Sequence, residues 1–199
     1  MTVAIHTEAL VVAGQWAAVA RHGNRPAPGG LALVHDFLET RATGTRVPDL
    51  LGTAARARAW GAAASQAWTA GRGGDAPRTT MTEHDAARLR ELRAAVVDLL
   101  AGVPTAVALC AMPHPKITLN GHGDEIRWIP AGEGWRWFLG AILGEVAVSQ
   151  HAGTWQRMKQ CRNPACGTTF YDSSWHNASV WHNARTCALD HVNHPNPLP

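Results

Sequence analysis

Charge is scarce in this chain. Asp, Glu, Lys and Arg make up 17% of its 199 residues and balance to a formal +3, whereas a dedicated binder of polyanions concentrates many cations on one face. Long apolar runs are missing as well. The longest, Trp137 to Val148, is about twelve residues, carries Glu145 and falls short of the roughly twenty that a bilayer span needs. Met1-Thr-Val-Ala-Ile-His-Thr-Glu8 has no basic start, and the apolar run after it breaks at Gly14-Gln15. No secretory leader is read from it, and the cytoplasm is the expected compartment. The glycines of Gly71-Arg-Gly-Gly74 lack the Gly-Lys-Ser/Thr ending of a phosphate loop. No nucleophile motif, cofactor fingerprint or paired-carboxylate pattern takes its place. Tyrosine is reduced to one residue against nine tryptophans, which read as large core anchors, with a Trp-lined pocket or interface as the alternative.

What remains suits a folded protein. Hydrophobic residues reach 46%, and the length allows one domain with a real core plus a small appendage. Three of the four cysteines gather near the end, in Cys161-Arg-Asn-Pro-Ala-Cys166 and Trp181-His182-Asn-Ala-Arg-Thr-Cys187. His182 stands to Cys187 as Cys161 stands to Cys166, and a fifteen-residue loop separates the two pairs. Such pairs bring four ligands to one tetrahedral centre, so the stretch reads as a closed Cys3His zinc site. Cysteines also serve as small buried hydrophobes, but the surrounding Arg, Asn, Pro, Gly, Thr and Ser are too polar for a core. A Cys161–Cys166 disulfide lacks the oxidising compartment it would need. The fourth ligand is open between His182 and His191, with His176 and His194 also in reach. Cys110, in Ala106-Val-Ala-Leu-Cys-Ala-Met112, reads as a buried inert thiol. Trp175-His-Asn-Ala178 recurs as Trp181-His-Asn-Ala184, so His176 and His182 are expected to differ in role.

The cysteine stretch resembles the C-terminal module of the CGNR zinc-finger family. That pattern runs Cys, four residues, Cys, then Phe-x-Asp-x-Ser, a basic run ending Arg-Arg-Trp-Cys, four residues, and Cys-Gly-Asn-Arg. Cys161, Cys166, Phe170, Asp172, Ser174, Trp181 and Cys187 match in register, and His182 stands where the family has its third cysteine. Ser179 and Val180 replace the arginines, and Cys187-Ala-Leu-Asp190 replaces the signature. The family joins its finger to a mostly helical ABATE domain opening with Leu-x-Asp-Phe-x-Asn-Thr, which Leu31-Ala-Leu33-Val-His-Asp36-Phe37-Leu-Glu39-Thr40 resembles. The resemblance implies an ABATE-like domain over residues 1–154 and a zinc module over 155–199. It further implies a stress-linked transcription regulator with Zn2+ as cofactor and DNA or RNA as partner. Arg157, Lys159, Arg162 and Arg185 would touch phosphate, with Trp175 or Tyr171 available to stack on bases.

A second expectation follows from the lost arginines: the scaffold is recruited to bind a small molecule, or as an enzyme, in a pocket between the two parts. His35, Asp36, Glu39, His176 and His191 are its polar candidates, although Asp36 on a helix also reads as a structural hydrogen-bond anchor. No membrane partner is expected, and a homodimer is among the assemblies considered.

The expected fold is mainly α with a β-hairpin: a helical N-terminal domain, then a zinc-ribbon or treble-clef-like module. Helices are read over Thr7–Arg21, where the Val-rich run also suits a strand, from Leu31, over Thr53–Ala70, over Thr82–Ala101 with Thr82 and Asp85 as a capping box, and over Trp135–Ser149. The hairpin pairs Ile117–Leu119 with Glu125–Trp128 around Asn120-Gly121-His-Gly123-Asp124. The Pro-rich tail from His191 is expected to wrap the surface.

Overall fold

A short helix with no exposed face lies at the centre of the molecule. All eight residues of Leu31–Leu38 are buried, as expected of a helix that neighbours cover on every side. The computed structural model describes residues 16–42, 47–72, 76–103, 109 and 111–189. Within it, α1 (Ala17–Ala20) precedes this central α2, and α3 (Ala54–Ala70), α4 (Glu83–Leu100) and α5 (Trp135–His151) surround it.

The surrounding helices form where the sequence places them. Thr53 caps α3 by accepting from the Arg56 N–H at 3.3 Å, and Ala57, Trp60, Gly61, Ala64 and Trp68 form its buried stripe. Thr82 and Asp85 close a reciprocal capping box on α4, which buries Leu89, Leu92 and Val96. Trp60 packs between Phe37 and Phe138, with ring centroids 5.6 and 5.0 Å away. Gly61 permits this approach, since a Cβ there would lie 3.2 Å from Phe138. Glu145, the lone charge of the apolar run in α5, is buried against Gly30 and accepts from Trp68 Nε1 at 2.7 Å and from Arg72. The Arg72 guanidinium lies 4.3 Å from the Trp68 ring and 5.0 Å from that of Trp128. Several tryptophans therefore do serve as core anchors. Val148, the last residue of that apolar run, is 47% exposed.

The hairpin β1 (Ile117–His122) and β2 (Glu125–Pro130) is antiparallel, and its turn is tighter than expected. Asn120 and Gly121 stay in the strand opposite Arg127 and Ile126, and the chain reverses at Gly123-Asp124 with Gly123 at φ +65°. Two-residue connections with glycine leading match the twist of paired strands, and they win over a longer loop. The hairpin seats Trp128 and Pro130 against Gly144 and Gly140 of α5.

A single 3-10 turn, Trp155–Arg157, then leads into a second hairpin, β3 (Met158–Gln160) with β4 (Thr169–Tyr171). A π-helical turn follows at Ala184–Ala188. The fold is thus mainly helical with two small antiparallel hairpins and a C-terminal zinc-binding module. Among the described residues no helix is long and apolar enough to cross a membrane. Most of the expected first helix, Cys110, His191 and the Pro-rich tail lie outside the described residues.

Candidate metal centre

The first ligand pair sits on the loop joining β3 to β4. The Cys161 N–H donates to the Thr168 carbonyl at 2.8 Å, and the N–H groups of Cys166 and Gly167 both donate to the Asn163 carbonyl, at 3.0 and 3.2 Å. Gly167 turns the chain at φ +61°. Asn163 is buried and links the two halves of the site: its Oδ1 accepts from the Ala165 N–H, and its Nδ2 donates to the Cys187 carbonyl at 3.3 Å. The second pair depends on Asn183. Its Oδ1 accepts from the N–H groups of Arg185 and Thr186, starting the helical turn that carries Cys187.

Together these loops place one ligand atom each from Cys161, Cys166, His182 and Cys187 within 4.8 Å of one another. His182 Nδ1 lies 3.2 Å from Cys166 Sγ and 3.3 Å from Cys187 Sγ. A zinc tetrahedron with Zn–S near 2.3 Å and Zn–N near 2.0 Å has edges of about 3.5–3.8 Å, so the donors fit such an ion with little movement. Their chemistry points the same way. Burial, reinforced by the neighbouring Cys161 and Cys166 thiols, pushes the Cys187 thiol up to about 12. Three thiols gathered like this are unfavourable to ionise unless a cation is among them, and a dication reverses that preference. Four protein ligands would close the coordination sphere of an ion held here and leave it no open position for a substrate. His182 is the histidine in the cluster, while His176 is exposed on the preceding loop.

The carboxylate of the Phe-x-Asp-x-Ser stretch, Asp172, organises the loop between the ligand pairs. Its Oδ1 accepts from the Ser174 N–H at 2.9 Å, and its Oδ2 accepts from the Ser179 N–H at 2.8 Å and from Lys159 Nζ at 2.7 Å. Burial would raise its carboxyl, but the Lys159, Ser174 and Ser179 hydrogen bonds outweigh that and hold it well below the usual carboxylate range. Lys159 also donates to the carbonyls of Asn177 and Ser179, and Arg157 to those of Asp172 and Ser174. Of the four cations expected to meet phosphate, Arg157 and Lys159 are therefore engaged inside the module. Arg162 and Arg185 are exposed.

The candidates for a pocket are likewise drawn into structural contacts. Asp36 is 1% exposed and accepts from the Val19 N–H at 3.0 Å and from Trp60 Nε1 at 2.8 Å, so it anchors α1 and α3 to α2. Both backbone groups of Thr169 on β4 are held by side chains of the helical part, two of them, His35 and Glu39, fully buried. Its N–H donates to Glu39 Oε1 at 2.7 Å, and its carbonyl accepts from His35 Nε2 and from Asn24 Nδ2, each at 3.0 Å. Burial pushes the Glu39 carboxyl up, opposed by the Thr169 N–H and the nearby Arg41. His35 and Asp36 thus spend their polar atoms in joining elements, Glu39 keeps Oε2 facing His22 Nε2 at 3.4 Å, and His176 is exposed on a separate loop. Asn24, Asn163, Thr169 and Asn183 were not singled out from the sequence, which carries no pattern marking such side-chain-to-backbone clamps.

No curated protein matches this chain. Residues 157–191 match the family model described as CGNR zinc finger, a span that takes in all four ligands.

Proposed function

We propose that the protein is a zinc-dependent regulator of the stress-linked transcription type, acting in the cytoplasm, whose module over residues 155–199 contacts nucleic acid. The helical part, residues 1–154 and ABATE-like in this reading, holds the module through the Thr169 clamp. One observation carries the reading. Asp172 is the module's single carboxylate among the described residues, and it is buried and paired with Lys159, leaving Arg162 and Arg185 as the exposed formal charges. The exposed formal charge of the module, among its described residues, is therefore positive, although the chain as a whole carries only +3. Zinc supplies no chemistry to a substrate here; it holds loops that have too little apolar surface to fold alone, so that metal binding contributes folding free energy.

The test is fluorescence anisotropy of labelled oligonucleotides at several salt concentrations. Two phosphate contacts predict a slope of log K against log salt of about −1.4 to −1.8. Replacing both Arg162 and Arg185 with alanine should bring that slope close to zero, and removing the metal with a chelator should abolish binding. A flat salt response in the unmodified protein would overturn the proposal.

A further inference from the structure

Trp175 departs from the behaviour of the other described tryptophans. It is 90% exposed, whereas Trp16, Trp60, Trp68, Trp135 and Trp137 are each 5% exposed or less. Exposure of a large ring on a loose loop would need no explanation, but this loop is anchored throughout. Ser174-Trp175-His176-Asn177 is a reverse turn closed by the Asn177 N–H donating to the Ser174 carbonyl at 3.3 Å. Asn177 takes the left-handed conformation at φ +49° and donates from Nδ2 to the Gln156 carbonyl at 3.3 Å. Asp172, Lys159 and Arg157 hold both shoulders of the turn. The indole therefore projects from a mount whose conformational entropy has already been lost on folding, which lowers the cost of burying it against a partner.

The surroundings indicate what that partner is. A groove of about 570 Å³ is lined by residues that also hold this loop, Gln156, Lys159 and Ser179, together with Trp155 and Arg162. The exposed Arg162 is the cation in this groove without a described side-chain partner, and no carboxylate lines it. An exposed aromatic platform beside a groove with a free guanidinium suits a flexible polyanion bearing flat rings. We infer that Trp175 stacks an unpaired base while Arg162 in the adjacent groove takes a phosphate of the same strand, so that the module prefers single-stranded nucleic acid or unstacked bases to duplex. The inference rests on the nucleic-acid reading above and specifies the form of the ligand. In a duplex the base faces are already stacked on one another and are closed to an indole, whereas a single strand offers them freely.

The experiment compares the zinc-loaded full chain with its Trp175→Ala and Trp175→Phe variants, using a labelled dT12 strand and a labelled duplex of equal length. Stacking on one base predicts that Trp175→Ala weakens dT12 binding by about 5- to 100-fold, with Trp175→Phe recovering part of the loss. The salt slope should persist in all three proteins, since no phosphate contact is removed. Metal content and melting temperature should be unchanged in the variants, because the exposed ring supports nothing inside the fold. If dT12 affinity is the same with and without the indole while the salt slope remains, the stacking inference is overturned and the nucleic-acid reading survives. That is also the result expected if Trp175 docks a protein. If neither probe binds, both readings fail, and tighter binding to duplex than to dT12 overturns the inference alone.

Discussion

Acidification should loosen the seam between the helices and the zinc module, and His35 is the group whose burial drives the loss. Its Nδ1 accepts from the Ala27 N–H at 3.2 Å, and its Nε2 faces the Thr169 carbonyl at 3.0 Å. Only the neutral tautomer with its proton on Nε2 satisfies both contacts, since protonating Nδ1 would set two donors against each other. Burial, with a small further push from His22, lowers the ring from the ordinary 6.5 to about 4, although the Thr169 carbonyl favours the charged form. Between these values the unfolded chain binds a proton that the folded chain refuses, so the contribution is complete above pH 6.5 and is lost as pH falls toward 4. The full loss is about 3 kcal/mol, with roughly 1–2 kcal/mol gone by pH 5.5, a large share of the stability of an ordinary domain. Acid also weakens zinc binding by protonating thiolates, so the measurement must be a difference. Urea unfolding of the zinc-loaded protein and of His35→Gln, whose amide does not titrate, should be followed from pH 7.5 to 5. The original protein should lead at the upper end, and its advantage should shrink by about 1–2 kcal/mol at pH 5.5 as the metal-dependent part cancels. Parallel profiles would show that His35 is not held neutral and would refute the argument.

Three other perturbations test the remaining contacts. Lys159→Met leaves the Asp172 carboxylate buried without its cation and should cost about 3–5 kcal/mol in urea unfolding; a loss below about 1 kcal/mol would instead suit an exposed, nucleic-acid-facing lysine. Asp36→Ala strands the Val19 N–H and Trp60 Nε1, so about 2–5 kcal/mol should be lost, and a melting temperature within a degree of the original would contradict the anchor role. Titration with a thiol-reactive mercurial in the presence of a chromogenic chelator should release close to one zinc per chain, and Cys187→Ser should lose that zinc together with the near-ultraviolet dichroism of the module.

Much of the architecture could be read from local chemistry. The Thr82–Asp85 capping box, the Thr53 cap, the buried stripes of the longer helices and the first hairpin all rest on interactions between residues close in sequence. The spacing of Cys161, Cys166, His182 and Cys187 likewise predicted a cluster that the structure assembles. The exposure of Val148 was not legible, because apolar character does not say which side of a helix meets solvent. Asn120-Gly121 misled because a strong turn signal competed with another one two residues further on.

The functional assignments divided along a different line. That Arg157 and Lys159 are engaged inside the module while Arg162 is free depends on where Asp172 and the carbonyls of residues 174, 177 and 179 fall in space. His35 and Glu39 read as candidates for a pocket because buried polar residues look alike in sequence whether they face a ligand or a neighbouring strand. Thr169 is 130 residues from Glu39 along the chain, and no local pattern announces that pairing. The sequence by itself determined the longer helices, the first hairpin and the three cysteine ligands, with the histidine left for the structure to choose, because caps, periodicity and ligand spacing act over a few residues or through one ion. Only the tertiary structure decided which charges are neutralised, which tryptophan is presented to solvent and how the zinc module is joined to the helices. Those outcomes depend on burial and on hydrogen bonds between segments that meet only after the chain has folded.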